Sequence, residues 1–590
     1  MAGDNKVGVL PLFFCWALTA VAFVAKALST AATVPLILDT DDAMRLTMVH
    51  DFLGGQGWFD LVQHRLNTPY GALMHWSRLI DLPEASLLFL LRPAFGAAAD
   101  IALVYAWPLL LLVPLLWLTA RLALRLGGRA ALWPGLLLSS LSLITLVEFA
   151  PGRLDHHAVQ ILLALAMLWC AVVALERPRF ALGAGVAAGA ALTIGIESLP
   201  VVGATIMAFG LAWVATARQS VALRDFGLSF ALSTLLGLAQ GVPPGRWLVP
   251  AADAISGTYA LAAILCGLAF LVLSLLPLRT VPTRLSAGLV AGAIAVALVV
   301  LSFPAILAGP YGQMDPWLLA NWVDRISEAE PLWTSFASGP VYVVAVAVPV
   351  VTGLAVVAWN IVRRPQERGA WLVYGLVLTI AFVVMLLQIR AARFAVPLAA
   401  PACAALIGAT WHRMVRTNGF GPILAMLGSV AASAGLIVAV FGTLVVAAFP
   451  AYDAGTLDPN RPGRQSCLMP AAFADLAGLP PERIMTPIDL GSHMLLYTPH
   501  AVVAAPYHRN EQGVLDTFRF FNGPIEEGRA ILRARGIALV AICPAMSEVR
   551  GLVAHTADSF VSLFAAGTLP GWLREMSAAG APLKVYSVEP

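Results

Sequence analysis

The stretch LVEFAPGRLDHHAVQILLALA, Leu146–Ala166, sets Arg153, Asp155, His156 and His157 against an apolar run. Charge in hydrocarbon is expensive, so such a cluster either snorkels to water at a helix end or carries function. A second polar group stands in LILDTDDAMRL, Leu36–Leu46, where Asp39, Asp41 and Asp42 are spaced so that two or three carboxylates can converge on one cation. Carboxylate oxygen with imidazole nitrogen suits a divalent metal such as Mg²⁺ or Mn²⁺. A cation of that kind neutralises a phosphate leaving group. The chemistry these residue types support is metal-assisted group transfer, with Asp39, Asp155 and His157 as ligands and Asp41 or Asp42 as substitutes for Asp39. Each pattern alone has an ordinary alternative. Acids 39–42 can solvate a loop, Asp155 can cap a helix ahead of interfacial histidines, and Glu328 can be a plain loop acid. The functional reading rests on all of them, with Glu197, falling on one face.

That face depends on the elements around it. Of 590 residues, 59% are hydrophobic and only 12% charged, with a mean hydropathy of +0.83. A soluble domain carries about 25% charge, so the chain reads as an α-helical polytopic membrane protein. A net charge of +3 is too small to argue for a nucleic-acid partner, and no basic run is present to bind one. Apolar runs long enough to span a bilayer fall near 8–30, 101–124, 131–148, 157–176, 180–196, 199–216, 226–242, 255–278, 284–308, 339–361, 370–389, 392–411 and 422–449. That is about thirteen helices. The first, from about Leu10 to Leu28, lacks a small-residue cleavage site and reads as a retained helix.

Arginine is concentrated in alternate short loops: Arg121, Arg125 and Arg129, then Arg177 and Arg179, Arg218 and Arg224, Arg279 and Arg284, Arg363, Arg364 and Arg368, Arg413 and Arg416. The opposite short loops hold little beyond Arg153, Arg246 and Arg390. This bias predicts a cytoplasmic N-terminus in a bacterial inner or plasma membrane. Residues 1–449 form the membrane domain, with long outer loops at 31–100 and 309–338. The segment 450–590 forms a small extracytoplasmic α/β domain in which GIALVAICP reads as a buried strand. Cys467 and Cys543 fall there, where a disulfide is permitted but not dictated. The other cysteines, Cys15, Cys170, Cys266 and Cys403, read as core. On this topology the Asp39, Asp155 and Glu197 segments, NWVDRISEAEPLW (Asn321–Trp333) and the Arg390–Arg393 turn all meet at the outer face.

At these residues the chain resembles the catalytic subunit of oligosaccharyltransferase, a GT-C-fold glycosyltransferase with thirteen helices and an outer C-terminal domain. That family places an Asp in the first outer loop with an Arg six residues on, as Asp39 and Arg45 stand here. It places an Asp with a ligand two residues later between helices three and four, as in RLDHH with Asp155 and His157. RISEAEP matches its Ser-Val-Ser-Glu-x-x-Pro loop through Ser327, Glu328 and Pro331. Arg390 or Arg393 stands where the family holds the donor phosphate. One motif departs: in place of Trp-Trp-Asp-Tyr-Gly, which recognises the sequon hydroxyl, the chain has TPIDLGSHM, keeping Asp489 and Gly491 but neither tryptophan.

The resemblance implies a glycosyltransferase that moves a sugar or oligosaccharide from a polyprenyl-phosphate or pyrophosphate donor to a lipid, glycan or protein acceptor among the membrane lipids. It assigns Asp39, Asp42 and Glu328 to catalysis and Asp39, Asp41, Asp155 and His157 to the metal. Arg45, Glu197, Arg390 and Arg393 fall to the donor, and Asp489, His493, His508 and Arg509 to the acceptor. The motif His508-Arg509 in APYHRNEQG equally suits a structural loop. The alternatives are a transporter or flippase without chemistry, a single-sugar enzyme of the same fold, and a true protein N-oligosaccharyltransferase. A transporter keeps ionisable residues near the bilayer midplane, and here the midplane stretches are nearly free of charge.

Overall fold

The structure, a computed structural model, describes residues 7–448 and 461–589 except Gln313, Asn418, 547, 548 and 550–554. The expected domain boundary at 449/450 lies outside the described residues. Every expected apolar run is helical, but they are not all alike. Among the described residues, ten helices are long and apolar enough to cross a membrane, or eleven if Phe420–Ser433 and Gly435–Val446, bent by 88°, count as one span. The chain is an integral membrane protein.

Two of the thirteen expected spans fall short on length. Phe180–Ile194 has 15 residues, about 22 Å of helix against a hydrocarbon core of about 30 Å. The 131–148 run breaks into Leu132–Ser140 and Leu143–Glu148. The short helix is nevertheless held tightly. A Cβ on Gly185 or Gly189 would lie 2.1 or 2.0 Å from the hydroxyls of Ser229 and Ser233 on the Ser220–Gly241 helix. Small residues replace side-chain bulk with close backbone approach, as membrane helix pairs require.

The expected outer loop 31–100 is also largely structured. It contains a helix, Thr40–Leu53, and a hairpin of β1 (Val62–Gln63) and β2 (Ala72–Leu73). A further helix, Arg78–Phe95, runs through the turn Gly96–Ala98 into Ala99–Gly127. The C-terminal part builds a five-stranded mixed sheet from β3 (Arg483–Met485), β4 (Ala501–Val502), β5 (Leu539–Ile542), β6 (Leu573–Glu575) and β7 (Lys584–Val588). Its order is β4-β3-β5-β7-β6. The central strand β5, from GIALVAICP, is buried along its whole length. β3 runs parallel to β4 and β5, whereas β7 is antiparallel to β5 and β6. Cys467 and Cys543 are joined in a disulfide with a Cα–Cα separation of 6.1 Å. Cys15, Cys170 and Cys403 are buried thiols and Cys266 is half-buried.

The sheet does not form its core alone. Met44 and Met48 of the Thr40–Leu53 helix, with Leu66, Met74 and Trp76, are part of the same hydrophobic cluster. The β4 edge is covered by residues 65–68, where the Val502 N–H donates to Arg65 O and the Thr68 N–H donates to Val502 O. A covered edge is protected from pairing with other chains. The first inter-helix segment is thus clamped between the helical bundle and the sheet, and this positions the acidic motif at its start.

Candidate active site

Asp39 is the N-cap of the Thr40–Leu53 helix, its carboxylate accepting from the Asp41 N–H at 3.0 Å. Asp42, one turn in, is 1% exposed and accepts from two backbone donors, the N–H groups of Leu154 (2.7 Å) and Asp155 (2.8 Å). Arg153 bridges Asp39 (2.6 Å), Asp42 (2.9 Å) and Glu148 (3.2 Å). Gly152 makes this crossing possible. It has φ +100°, and a Cβ there would lie 2.0 Å from Leu36 O. Only glycine fits both the backbone and the space.

The Asp155 carboxylate is the centre of the group. Oδ1 contacts His156 Nδ1 and accepts from the His156 N–H at 2.7 Å. His156 reaches Glu197 with its other nitrogen at 3.8 Å. Oδ2 makes no hydrogen bond and faces His157 Nε2 at 3.1 Å. The far nitrogen of His157 pairs with Gln160 Oε1 at 3.2 Å, and Gln160 Nε2 donates to Glu197 at 2.8 Å. With the amide so oriented, Nδ1 of His157 is the protonated nitrogen, and the Nε2 lone pair faces a carboxylate oxygen. Gly195 permits this packing, since a Cβ there would sit 2.4 Å from Glu197 Oε2.

The electrostatics follow from burial and these partners. Burial raises Asp39, but Arg153 outweighs it and holds the carboxyl below its ordinary value. Asp155 is held well below the usual range because His156 and His157 outweigh burial. His156 is lifted to about 10, Asp155 and Glu197 overcoming the cost of burying an imidazolium. Asp42 is pushed up to about 8 by burial, despite Arg153. Asp41 is also raised, by burial and then by Asp155 and Asp39, so its charge sits in repulsion with the other two.

The donor set fits a divalent cation. Two lone pairs facing one another at 3.1 Å need a proton or a cation between them. That separation is also close to the spacing of adjacent ligands on an ion bound at about 2.1 Å. The Gln160–Glu197 chain behind His157 is the kind of hydrogen-bonded support that fixes a ligating imidazole.

Three expected residues make contacts that hold the centre in place. Arg45 was expected to reach a donor, yet it is fully buried, hydrogen-bonded to Asp81 at 2.5 Å and stacked on Trp76 at 4.2 Å. It lies 3.9 Å from Asp155 Oδ1, so it orients the centre from behind. Asp42 was expected in catalysis, but its acceptors are filled by Arg153 and two backbone N–H groups, which makes it a clamp. Glu197 supports His156 and Gln160.

Arg393, Arg390 and Glu328 meet in a separate cavity of about 320 Å³ that also exposes Glu148, Ser327 and Tyr342. Arg393 pairs with Glu328 at 3.0 Å and lies 3.9 Å from Glu148, which joins this cavity to Arg153. Arg390 donates to Gln388 at 3.1 Å. Asp489 sits in the first turn of the Ile488–Tyr497 helix and is pushed up to about 6 by burial and the nearby Asp39 charge, against Arg464. His493 is fully buried with Nε2 3.2 Å from Ile37 O, so it fastens the backbone just ahead of Asp39. His508 and Arg509 both pair with Asp253, at 2.6 Å each.

Glu148, Asp81, Trp76, Gln160 and Asp253 take part without standing out in the sequence, and Arg153 and His156 stand out there without an assigned role. Glu148 and Arg153 lie in the same polar-in-apolar stretch as Asp155, which was a usable signal. Trp76 and Asp253 carried none, because an isolated Trp or Asp in a loop is ordinary.

No protein-family model matches the chain, and no curated protein does. Solved structures do. Oligosaccharyltransferase AglB from Archaeoglobus fulgidus, in complex with an inhibitory peptide and a dolichol-phosphate, aligns over 98% of this chain and 74% of its own with a TM-score of 0.67 at 12% identity. The A. fulgidus oligosaccharyltransferase tethered to an acceptor peptide containing the NVT sequon aligns over the same shares, with a TM-score of 0.59 and 12% identity. The chain shares the GT-C fold of these glycosyltransferases, as the motifs in its sequence implied.

Proposed function

We propose that the protein is a membrane glycosyltransferase that moves a sugar or oligosaccharide from a polyprenyl-phosphate or pyrophosphate donor to a lipid or glycan hydroxyl. The reading includes transfer at the extracytoplasmic face of a bacterial inner membrane. The observation that carries it is the unpaired Asp155 Oδ2 facing His157 Nε2 beside Asp39, joined through Arg153 and Glu148 to the Arg393–Glu328 cavity.

Asp155 and His157 would hold a Mg²⁺ or Mn²⁺ ion, with Asp39 and Asp41 alongside. When bound, that ion supplies positive charge beside the departing phosphate. Arg393 and Arg390 bind the donor phosphate from the cavity side. Glu328, 59% exposed in its side chain, orients the acceptor hydroxyl and takes its proton as the bond to the anomeric carbon forms. Arg45, Asp42 and His156 hold Asp155 in place, so the charged groups need not reorganise during the reaction.

The test is transfer of a labelled glycan from a polyprenyl-pyrophosphate donor to the native membrane lipid fraction by the purified protein. Labelled lipid is expected with the unaltered protein and absent with Asp155→Asn. No transfer from any polyprenyl-linked donor sinks the proposal.

A further inference from the structure

A second cavity, of about 690 Å³, carries three metal-type donors that the proposed reaction does not use. His75 follows the β1–β2 hairpin, Asp253 lies in the connection between the Ser220–Gly241 and Gly257–Leu275 helices, and His508 belongs to the C-terminal part. One donor atom from each lies within 4.8 Å of the other two. His508 Nε2 is 2.6 Å from Asp253 Oδ2, and the His75 and His508 rings are 4.8 Å apart at their centroids. His75 Nδ1 is buried and has no hydrogen-bond partner.

We propose that His75, Asp253 and His508 form a zinc site in the wall of this cavity, with the fourth position open to it. Two imidazoles and one carboxylate make a borderline donor set that suits Zn²⁺ and is poor for Mg²⁺. Three protein ligands beside an open space is the pattern of zinc that keeps an exchangeable water or ligand oxygen.

The surroundings fit the ion. Arg509 holds Asp253 through both oxygens, Nε to Oδ2 at 2.6 Å and Nη2 to Oδ1 at 2.8 Å, and so fixes the carboxylate orientation. His75 Nδ1, buried and without a hydrogen-bond partner, has a place for the ion to fill. Binding displaces the proton between His508 and Asp253. The three ligands come from segments distant in the chain, so the ion also fastens the C-terminal part to the helical bundle.

The experiment uses full-length protein in detergent, stripped with chelator. An Asp155→Asn, His157→Ala background removes the other divalent site. Zn²⁺ is titrated calorimetrically, and Co²⁺ is followed by its visible absorption. One equivalent of Zn²⁺ and a cobalt spectrum of a low-coordinate nitrogen–oxygen site are expected in the background protein. His75→Ala, which breaks no ion pair, should melt like its parent without zinc and lose affinity by roughly tenfold or more. His508→Ala, which also removes the pair with Asp253, should lose zinc affinity as well. No zinc equivalent in the background protein, or a His75→Ala protein that binds as tightly as its parent, overturns the site.

Discussion

The Asp42 carboxylate accepts a hydrogen bond from the Asp155 backbone N–H at 2.8 Å, and this bond ties the first acidic motif directly to the second. Asp42→Ala leaves that N–H and the Leu154 N–H without a partner, and each buried orphan costs about 1–3 kcal/mol. A clear fall in melting temperature in detergent is expected. Asp42→Asn keeps the acceptor oxygen for both N–H groups but loses the Arg153 pair, and should melt between the alanine variant and the parent. Equal melting of the alanine variant and the parent would show that the two motifs are held by something else.

The proposed metal gives an activity prediction. Asp155 and His157 sit at the N-terminal end of the His157–Ala174 helix. Chelation, or Asp155→Asn, should lower transfer by orders of magnitude. Full transfer by chelator-treated protein refutes the metal assignment.

Acid should loosen the contact ahead of Asp39. His493 is buried and held down to about 4, with burial as the main cause. Its folded value lies below the unfolded value of about 6.5. The unfolded chain therefore binds more protons between those values, and stability falls as pH drops from about 6.5 towards 4. The gap corresponds to about 3 kcal/mol at most. His493→Gln preserves a donor toward Ile37 O and should flatten this slope in melting curves taken at each pH. An unchanged slope removes His493 as its source.

Glu328 and Arg393 share a 3.0 Å ion pair but have different proposed partners. Glu328→Gln should lower turnover far more than donor affinity, because its partner is the acceptor. Arg393→Ala should weaken donor binding, measured with a labelled polyprenyl-phosphate. The reverse pattern would exchange the two roles.

Much of this was legible beforehand, for stated reasons. Apolar runs located most of the long helices, because length and composition decide what a bilayer accepts; Arg78–Phe95, with its interspersed charges and prolines, was the exception. GIALVAICP located the buried strand. Six residues of helix turn through about 600°, so Arg45 packs on Asp81 and Trp76 and meets the site from behind, 3.9 Å from Asp155 Oδ1. TDDAMRLTMVHDFL carries too weak an apolar pattern to announce a helix; the Thr40–Leu53 helix is buried only once the C-terminal sheet supplies the other half of its core. The pairing of Asp253 with His508 and Arg509 spans 255 and 256 residues, a distance at which local pattern says nothing.

The last prediction concerns the acceptor, where PIDLG replaces the paired tryptophans of the related motif. In the structure this segment is a packing element. A Cβ on Gly491 would lie 2.0 Å from Ala504 O, His493 is committed to Ile37 O, and the Ser492 hydroxyl meets Tyr507 at 3.3 Å. Tyr507 in turn donates to Thr40 O at 3.2 Å, next to Asp39. Ser492 through Tyr507, and His493 through Nε2, tie this helix to the Asp39 segment, and the paired tryptophans that would frame a Ser or Thr hydroxyl are missing. A site that hydrogen-bonds a substrate hydroxyl discriminates by several orders of magnitude, and without such a site the basis for selection is gone. Offered side by side with one labelled lipid-linked donor, an Asn-x-Ser/Thr peptide should stay unmodified while the membrane lipid fraction becomes labelled. Efficient labelling of the peptide, lost when Asn is replaced by Gln, would make the protein an N-oligosaccharyltransferase despite the missing tryptophans.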